Sequence, residues 1–477
     1  MIAGITPTRP PDLPVRSVLG AVADALDAHR AAVLVAPPGT GKTTLVPPAL
    51  AERRAGRVLV AEPRRLATRA AAARMAALLG EPVGATVGYA VRGERRTSPG
   101  TRIEVVTSGL LLRRLVADAE LPGVGTVVLD ECHERHLDAD LLLALLLDAR
   151  AGLRPDLALL ATSATVAGER LADLLGDPAP VLRVDAEAFP LTVTHIPPAR
   201  GEQVAAYTAR AVRTALAGGD GDVLAFLPGV PEIRRTAAAL DGVDAEVRAL
   251  HGRLPPAEQD AALRAGPRRR VVLATAVAES SLTVPGVRAV VDAGLARVPR
   301  TDHRRGLAGL VTVRVSAAVA DQRAGRAARE GPGRVYRCWP QGERLARYPE
   351  PEIRTADLTR LALDLACWGT PDGAALTWWD PPPPGPLAAG REVLLALGAV
   401  HGERVTARGR RMAELGLHPR LARALLDGSA AVGPRLAAEV VALLDDDTLA
   451  AGTDVDAELS RLRSGGQGSR RWRTEVG

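Results

Sequence analysis

The chain has 477 residues, with 61 Lys plus Arg against 55 Asp plus Glu, so its formal net charge is +6 and its isoelectric point about 9.8. This basic excess suits a polyanionic partner, although solvated surface Arg would give the same balance. The three Cys lack disulfide or metal-site spacing, and the chain opens without a signal-like apolar run. Its leucine block, between Asp140 and Asp148, is too short to span a membrane. Composition favours a cytoplasmic protein.

Short apolar runs alternate with helical patterns through the first two thirds of the chain. One such helical pattern is the Ala-rich stretch at 64–80. Alternation of this kind is typical of parallel sheets with helices on both faces, so we expect an α/β fold of two units in series. The predicted strands are 31–36, 56–63, 101–108, 125–131, 156–165, 221–228, 244–252, 269–277, 287–294 and 333–340.

After Pro349 the alternation stops and the pattern becomes helical. The proline-rich stretch 378–390 is expected to be a loop. Residues 394–416 predict a helix, a short hairpin and a helix, which is the shape of a winged helix. Amphipathic patterns predict three more helices, at 417–428, 433–446 and 453–464.

The only Lys of the chain, Lys42, lies in APPGTGKTT, where a predicted strand ends in a Gly-rich turn and a helix begins. Such a turn lets backbone N–H groups converge on a phosphate, and the helix start adds positive charge. Lys42 would reach the β- and γ-phosphates of a nucleotide, and Thr43 would ligate Mg²⁺. A compact ammonium fits inside this loop better than a guanidinium. The predicted nucleotide-binding residues are Pro38, Gly39, Thr40, Gly41, Lys42, Thr43 and Thr44.

Two features of this stretch are unusual. Ala36 stands where the phosphate-loop motif has Gly, which matters only if φ must be positive there. Pro47 and Pro48 lie early in the predicted helix and are expected to kink it. A chance Gly-Lys-Thr in a loop is the alternative interpretation.

An acidic pair follows the predicted strand of GTVVLDECHERH. Asp130 falls at the strand's C-terminal tip, where ligands bind in open α/β sheets, and is expected to hold Mg²⁺ through water. Glu131 is the candidate to polarise an attacking water. A zinc site from His133 and His136 is a weak alternative, because their spacing is three rather than four and they follow a strand.

Arg323, Arg326 and Arg329 recur every third residue in QRAGRAAR, residues 322–329. On a helix they would share one face. We expect this stripe to meet phosphate and to supply arginine fingers from the second unit across a cleft. A solvated basic face is the alternative.

Nine motifs in a fixed order resemble those of the DEAH-box RNA helicases of superfamily 2, closest to the bacterial HrpB-like branch. They span about residues 14 to 460. The resemblance implies two RecA-like domains at 14–184 and 185–348, a winged helix at 349–416 and a helical ratchet domain at 417–477. It also implies hydrolysis of ATP with Mg²⁺ and 3′-to-5′ movement on single-stranded or partly duplex RNA, without excluding DNA. The motifs are APPGTGKTT, AEPRRLATRAAAARMA, VGYAVRGE, TSGLLLRRL, DECH, SAT, FLPGVPEI, ATAVAESSLTVPGVRAVVDAGLAR and DQRAGRAAR.

The same resemblance assigns further roles. Ser163 and Thr165 would couple the nucleotide state to strand binding. Gln322 would position the attacking water, and Arg326 and Arg329 would contact the γ-phosphate. Segment 296–316 resembles the strand-parting hairpin, and its turn between alternating runs fits that shape independently. Nucleic-acid contacts would come from Arg64, Arg65, Thr107, Gly109 and Thr275.

The chain departs from the family pattern at Ala276, where Asn is usual, and at Ser280, where Thr is usual. Ala276 lacks the Asn amide that could hydrogen-bond to RNA or to neighbouring loops, so weaker coupling is expected. With 2% aromatic residues, the chain should contact a strand through its phosphates, largely independently of base sequence.

Two other classes of protein fit the motifs less well. One is a P-loop ATPase that remodels protein or ribonucleoprotein partners, and the other is an RNA-binding scaffold with weak ATPase activity.

Residues 465–477 lack an apolar period and are expected to be a loop. Members of the resembled family continue well beyond this point, so the helical ratchet domain is expected to be cut short. We therefore hypothesise that the chain is a fragment or minimal form, which has basal ATPase activity but couples poorly to RNA. An uncovered apolar stripe would favour its association.

Overall fold

The chain forms two mainly parallel sheets with helices on both faces, followed by a helical part with one short hairpin. The α/β prediction is therefore confirmed. The computed structural model describes residues 11–164, 168–176, 179–185, 189–279, 284–302, 307–446, 449–450, 452–466 and 468–476.

The first sheet has eight strands, and all neighbours run parallel except one edge pair. Its strands are β1 (Ala31–Val35), β2 (Arg57–Glu62), β3 (Val87–Val91), β4 (Glu94–Arg96), β5 (Ile103–Thr107), β6 (Val124–Leu129), β7 (Ala158–Ser163) and β8 (Val181–Arg183). They lie in the order β4-β3-β5-β2-β6-β7-β1-β8, with β3 and β4 antiparallel. Its helices are α1 (Leu19–His29), α2 (Lys42–Arg53), α3 (Arg65–Leu78), α4 (Ser108–Ala117), α5 (Leu137–Gly152) and α6 (Gly168–Leu175).

The continuous apolar runs of these strands follow from burial on both faces. In β1, Val33 joins the core that contains the leucines of α5, whereas Leu34 joins the core formed with α1 and α2. Because successive side chains of a strand point to opposite faces, both faces of the sheet need apolar residues.

The second sheet has six parallel strands in the order β11-β12-β10-β13-β16-β9, beside a separate antiparallel hairpin of β14 and β15. The strands are β9 (Leu191–His195), β10 (Asp222–Phe226), β11 (Glu246–Leu250), β12 (Arg270–Ala274), β13 (Val287–Asp292), β14 (Leu295–Asp302), β15 (Leu307–Arg314) and β16 (Gly333–Arg337). The helices are α7 (Val204–Ala217), α8 (Val230–Ala239), α9 (Pro256–Leu263) and α10 (Ala317–Ala324).

The remaining residues form helices around one small hairpin. They are α11 (Thr359–Trp368), α12 (Pro384–Ala396), β17 (Val400–His401), β18 (Arg404–Val405), α13 (Ala407–Leu415), α14 (Pro419–Val432), α15 (Pro434–Asp445), α16 (Val455–Arg463) and α17 (Ser469–Val476). Leu365 of α11, Leu394 of α12 and Met412 of α13 are buried in the same core as α5, so this part packs on the first unit.

All ten predicted strands are confirmed within a few residues, and so is the helix, hairpin and helix order predicted for 394–416. Sequence reasoning missed β3, β4, β8 and β9. The strand-parting hairpin predicted at 296–316 corresponds to β14 and β15, while the tip of its turn lies outside the described residues.

The loop prediction for 378–390 is wrong from Pro384 onward, where α12 begins. Pro is tolerated at the first helical position, because its missing N–H would have no helical partner there. Helix α2 continues through Pro47 and Pro48 to Arg53, and the kink expected at these prolines stays a prediction.

The loop prediction for 465–477 is also wrong, because α17 occupies Ser469–Val476. Its Trp472 is 3% exposed and packs with Leu443, Leu459 and Leu462, and its indole N–H donates to the Glu439 carbonyl at 3.0 Å. One large aromatic residue anchors this short helix without an apolar period. The expected apolar stripe is partly covered in this way, while Leu444 of α15 is 52% exposed.

Candidate active site

The phosphate loop connects the end of β1 to the start of α2. Gly39 and Gly41 have φ values of +90° and +93°, which only glycine adopts readily, and Gly41 is the N-cap of α2. Lys42 is therefore the first helical residue, so backbone N–H groups at a positive helix end surround it. Ala36 does not adopt a positive φ, so Ala in place of the motif's Gly causes no backbone strain.

Two short polar contacts join this loop to the acidic pair. Lys42 Nζ lies 3.1 Å from Glu131 Oε2, and the Thr43 hydroxyl donates to Asp130 Oδ2 at 2.5 Å. Burial opposes the charge on Lys42, but Glu131 and Asp130 outweigh it and raise the pKa of the ammonium. The residues predicted to bind the phosphates and the metal ion of a nucleotide therefore lie close together.

The acidic pair sits at the tip of β6 in a constrained backbone. Asp130 Oδ1 accepts a hydrogen bond from the Glu131 amide at 3.0 Å and another from the Thr162 hydroxyl. Glu131 has a φ of +55°, the left-handed region that a non-glycine residue enters at an energetic cost. Sequence reasoning missed Thr162, whose only signal was its place near the end of a strand parallel to β6.

The end of β7 also touches the phosphate loop. Ser163 is fully buried, and its carbonyl accepts from the Ala36 amide at 3.0 Å. The coupling role of Ser163 stays a prediction, because this contact uses its backbone carbonyl. Thr165, the other predicted coupling residue, lies outside the described residues.

The residues present fit a magnesium ion that is shared with nucleotide phosphates. Thr43 and Asp130 offer a hydroxyl and a carboxylate, the hard oxygen ligands that Mg²⁺ prefers, next to the loop that would hold the phosphates. Within the described part of the chain, no cluster of three or more His, Cys, Asp and Glu could hold a metal by itself. The zinc alternative gains no support, since His133 and His136 face different partners.

Arg329 of the second unit reaches the phosphate loop of the first. A Cβ added to Gly39 would lie 3.8 Å from Arg329 Nε, so the guanidinium stands directly over the loop. Burial lowers the pKa of Arg329 to about 10, while Glu131 favours its charge. Arg326 is 4% exposed beside it, and burial together with Arg329 lowers its pKa.

The predicted three-Arg helical stripe is wrong. Helix α10 ends at Ala324, and Arg326 and Arg329 lie in the turns that follow. Arg323 points into the second unit, where its guanidinium pairs with Glu279 at 2.8 Å and Asp292 at 2.6 Å. It is buried among carboxylates and therefore has a structural role.

His133 connects the acidic segment to the second unit. Its Nδ1 accepts from the Ala164 amide at 3.2 Å, and its Nε2 contacts the side-chain amide of Gln322. Burial lowers the pKa of His133, which keeps the ring neutral. The structure thus places Gln322 beside His133, and its role in positioning an attacking water stays a prediction.

A cavity of about 2640 Å³ lies between the first unit, the second unit and the helical part. Arginines from all three parts line it, and strands β14 and β15 form one side. A channel lined by arginines attracts a phosphate backbone. Representative lining residues are Arg65, Arg92, Arg253, Arg297, Arg470 and Arg473.

Of the five predicted nucleic-acid contacts, Arg64 and Arg65 border this cavity. Arg64 donates to Glu134 at 2.9 Å and to the carbonyl of Ala276, which joins the two units.

The other three predicted contacts, Thr107, Gly109 and Thr275, are not among the residues that line the cavity. Thr107 is the N-cap of α4. Gly109 allows close packing, because a Cβ there would lie 2.2 Å from Asp138 Oδ2. Thr275 precedes a short helical turn at Ala276–Ala278.

Comparison with known proteins agrees with this geometry. The DEAD/DEAH box helicase model matches residues 19–174, and the helicase conserved C-terminal domain matches residues 208–331. ATP-dependent RNA helicase HrpB of Escherichia coli K12 is 43% identical over 462 residues, which cover 94% of this chain and 56% of that protein. The chain belongs to the DEAH-box helicase family.

Other relatives of this DEAH-box chain agree. The probable ATP-dependent RNA helicase DHR2 of Saccharomyces cerevisiae is 33% identical over 438 residues, or 87% of this chain and 60% of that protein. The crystal structure of the Escherichia coli DEAH/RHA helicase HrpB superimposes with a TM-score of 0.90 at 42% identity, covering 98% of this chain and 60% of that one.

The two α/β units of this DEAH-box chain are thus tandem RecA-like domains. The chain spans somewhat more than half the length of these two curated relatives. Among its described helices, none has the length and apolar character needed to cross a membrane.

Proposed function

We propose that this chain is an RNA helicase motor that hydrolyses ATP with Mg²⁺, moves 3′-to-5′ along single-stranded RNA and separates or remodels duplexes. The observation that carries the proposal is the position of Arg329 over Gly39. A nucleotide held by the phosphate loop would touch both RecA-like units, and the same two units border the Arg-lined cavity. Binding and hydrolysis of ATP would therefore move the two units that form the cavity walls around an RNA strand.

The chemistry proposed for the nucleotide site follows from its contacts. Lys42 and the loop amides would bind the phosphates, and Thr43 and Asp130 would hold Mg²⁺, which neutralises phosphate charge when bound. Glu131 would polarise the attacking water from its fixed backbone position.

Arginines of the second unit would complete the site. Arg326 and Arg329 would stabilise the charge that develops on the transferred phosphoryl group, because both are held beside Glu131 in a buried cleft. Gln322 would act through His133. Hydrolysis would thus need the two units in contact.

RNA is proposed as the strand because the relatives that the chain resembles are named RNA helicases. Arg side chains from all three parts line the cavity, and the chain has only 2% aromatic residues, so phosphate contacts should outweigh base contacts. A cytoplasmic location belongs to the same proposal, and the free state of Cys132, Cys338 and Cys367 supports it.

ATP hydrolysis measured with and without RNA tests this proposal, together with strand separation on duplexes that carry a 3′ or a 5′ overhang. We expect RNA to stimulate hydrolysis and only the 3′-overhang duplex to be separated. Glu131→Gln should abolish hydrolysis, whereas Glu120→Gln, a matched change at an exposed carboxylate, should not.

The outcomes separate the alternative functions. RNA-stimulated hydrolysis without strand separation would indicate a remodelling ATPase. Equal stimulation by DNA would broaden the substrate. Hydrolysis that ignores every nucleic acid would contradict the proposal.

A further inference from the structure

The side chain of His136 joins two carboxylates from different parts of the chain. Its Nδ1 lies 2.8 Å from Glu352 Oε1, and its Nε2 lies 2.7 Å from Glu134 Oε2. A carboxylate can only accept, so the imidazole donates from both nitrogens and carries a positive charge. Burial opposes this charge, but the hydrogen bonds to Glu134 and Glu352 raise the pKa of His136 to about 10.

Glu134 is held by a second cation on its other side. Arg64 Nη2 lies 2.9 Å from Glu134 Oε2, while another nitrogen of the same guanidinium donates to the carbonyl of Ala276 in the second unit. The side chain of Glu134 is 8% exposed. Burial opposes its ionisation, but Arg64 and His136 lower its pKa, so Glu134 is a buried anion with two cationic partners.

Glu352 ties the same segment to the helical part. Its Oε2 accepts from the amide of Leu137, the first residue of α5, at 2.9 Å, so it caps this helix from a distant point in the sequence. Its own backbone amide donates to the Arg135 carbonyl at 3.1 Å. His136 thus stands where both units and the helical part meet.

This junction faces both the cavity and the nucleotide site. Arg64, Glu134, His136 and Glu352 all line the cavity, and the side chain of His136 is 29% exposed there. Glu131 lies only five positions before His136 in the sequence. The intervening segment contains a short helical turn and a second left-handed residue, Arg135 at φ +55°. The backbone between Glu131 and His136 is therefore constrained.

A strand phosphate in the cavity would compete with Glu134 for Arg64. Removing the only cation from a buried carboxylate is strongly unfavourable. Glu134 has a second cation in His136, which it shares with Glu352, so Arg64 can turn toward a phosphate without leaving Glu134 unpaired. Without that second cation, Glu134 would keep Arg64 paired with it and away from the strand phosphate.

We propose that His136 is a positioning residue for RNA-stimulated hydrolysis: by pairing with Glu134, it releases Arg64 to a strand phosphate and transmits the change to the segment that carries Glu131. This inference rests on the proposed function. It assigns a role to a residue that the motifs leave unexplained.

The first test compares His136→Gln with His136→Arg. The probe is a single-stranded uridine oligonucleotide, and the measured quantity is the ratio of ATP turnover with saturating RNA to turnover without RNA. We expect the neutral Gln variant to lower this ratio about tenfold and the cationic Arg variant to restore it to within about threefold of the parent. His401→Gln, at an exposed hairpin position, is the matched control.

The second test is a pH profile of the same ratio. The charged groups around the ring are Glu134, Glu352, Arg64 and, beyond Arg64, Glu279. Glu352→Gln removes one carboxylate, so the pKa of His136 should fall from about 10 toward its ordinary value of 6.5. Stimulation in this variant should then decline as the pH rises from about 7 to 9, whereas the parent should stay level.

The outcomes distinguish the inference from the proposed function. If RNA does not stimulate the parent, both are overturned. If RNA stimulates the parent and His136→Gln equally, only the role of His136 is overturned. If His136→Gln fails to fold, the Glu352→Gln profile decides, and a level profile overturns the inference.

Discussion

The ammonium of Lys42 lies 3.1 Å from the carboxylate of Glu131, and both side chains are about 95% buried. This pair joins the start of α2 to the tip of β6, so the residue proposed to hold phosphate and the residue proposed to activate water are in contact. A nucleotide phosphate would bring its own negative charge to Lys42. The pair is therefore the point where phosphate binding can release Glu131 for chemistry.

Lys42→Arg should nearly abolish ATP hydrolysis although it conserves charge. Lys42 is only 5% exposed, so its site has room for a compact ammonium, and a planar guanidinium cannot take its place. We expect turnover at saturating ATP to fall at least about a hundredfold. Arg53→Lys, at the exposed end of the same helix, should leave turnover unchanged. Turnover of Lys42→Arg within about threefold of the parent would refute the phosphate-loop role.

Arg326→Ala and Arg329→Ala should each lower kcat by orders of magnitude while changing KM for ATP far less. Both guanidiniums lie in the buried cleft beside Glu131, where a charge acts most strongly on a transition state. Steady-state kinetics separate the two parameters, and Arg268→Ala, an exposed change in the same unit, serves as the control. Normal kcat with weakened ATP binding would instead indicate a structural role.

RNA affinity should fall steeply as salt rises and should vary little with base sequence. Arginines from all three parts line the cavity, and each phosphate contact releases counterions. Arg470→Ala or Arg473→Ala, on α17, should each reduce the slope of log Kd against log salt by about 1. Arg404→Ala, on the exposed hairpin, should not change it. A parent slope near zero would show that base contacts dominate.

Asp364→Asn should stabilise the protein at pH 8. Asp364 is buried where α11 meets the first unit, and burial raises its pKa to about 7 although Arg360 lies 3.9 Å away. A carboxyl with a raised pKa favours the folded state below its unfolded pKa of about 4, and this stability is lost as the pH rises to about 7.

Thermal unfolding at several pH values tests this prediction. The Asn variant should exceed the parent by roughly 2–4 kcal/mol at pH 8 and lose that advantage toward pH 4. Asp173→Asn, an exposed change on α6, is the matched control and should show no such pH dependence. A less stable Asn variant at pH 8 would mean that the charged form of Asp364 is needed.

The sequence by itself determined the features that depend on near neighbours. The phosphate loop, Lys42, Asp130 and the ten strands could be predicted, because glycine conformations, apolar runs and a helix start act over a few residues. The proximity of Thr43 to Asp130 also follows, since Asp130 comes directly after β6 and Thr43 lies in the first turn of the helix that follows the loop after β1, and β1 and β6 end at the same edge of the sheet.

Only the tertiary structure decided which side chains meet across long stretches of sequence. Arg323, Arg326 and Arg329 look equivalent in the sequence, yet Arg323 is buried between two carboxylates and Arg329 stands over Gly39.

Likewise, nothing near His136 in the sequence indicates that it pairs with Glu352, which is 216 positions away. Helix α17 forms around a single Trp because α15 and α16 provide its apolar cover. In each case the deciding term is the burial of a charge or an aromatic ring, and burial is set by the packing of distant elements rather than by local sequence.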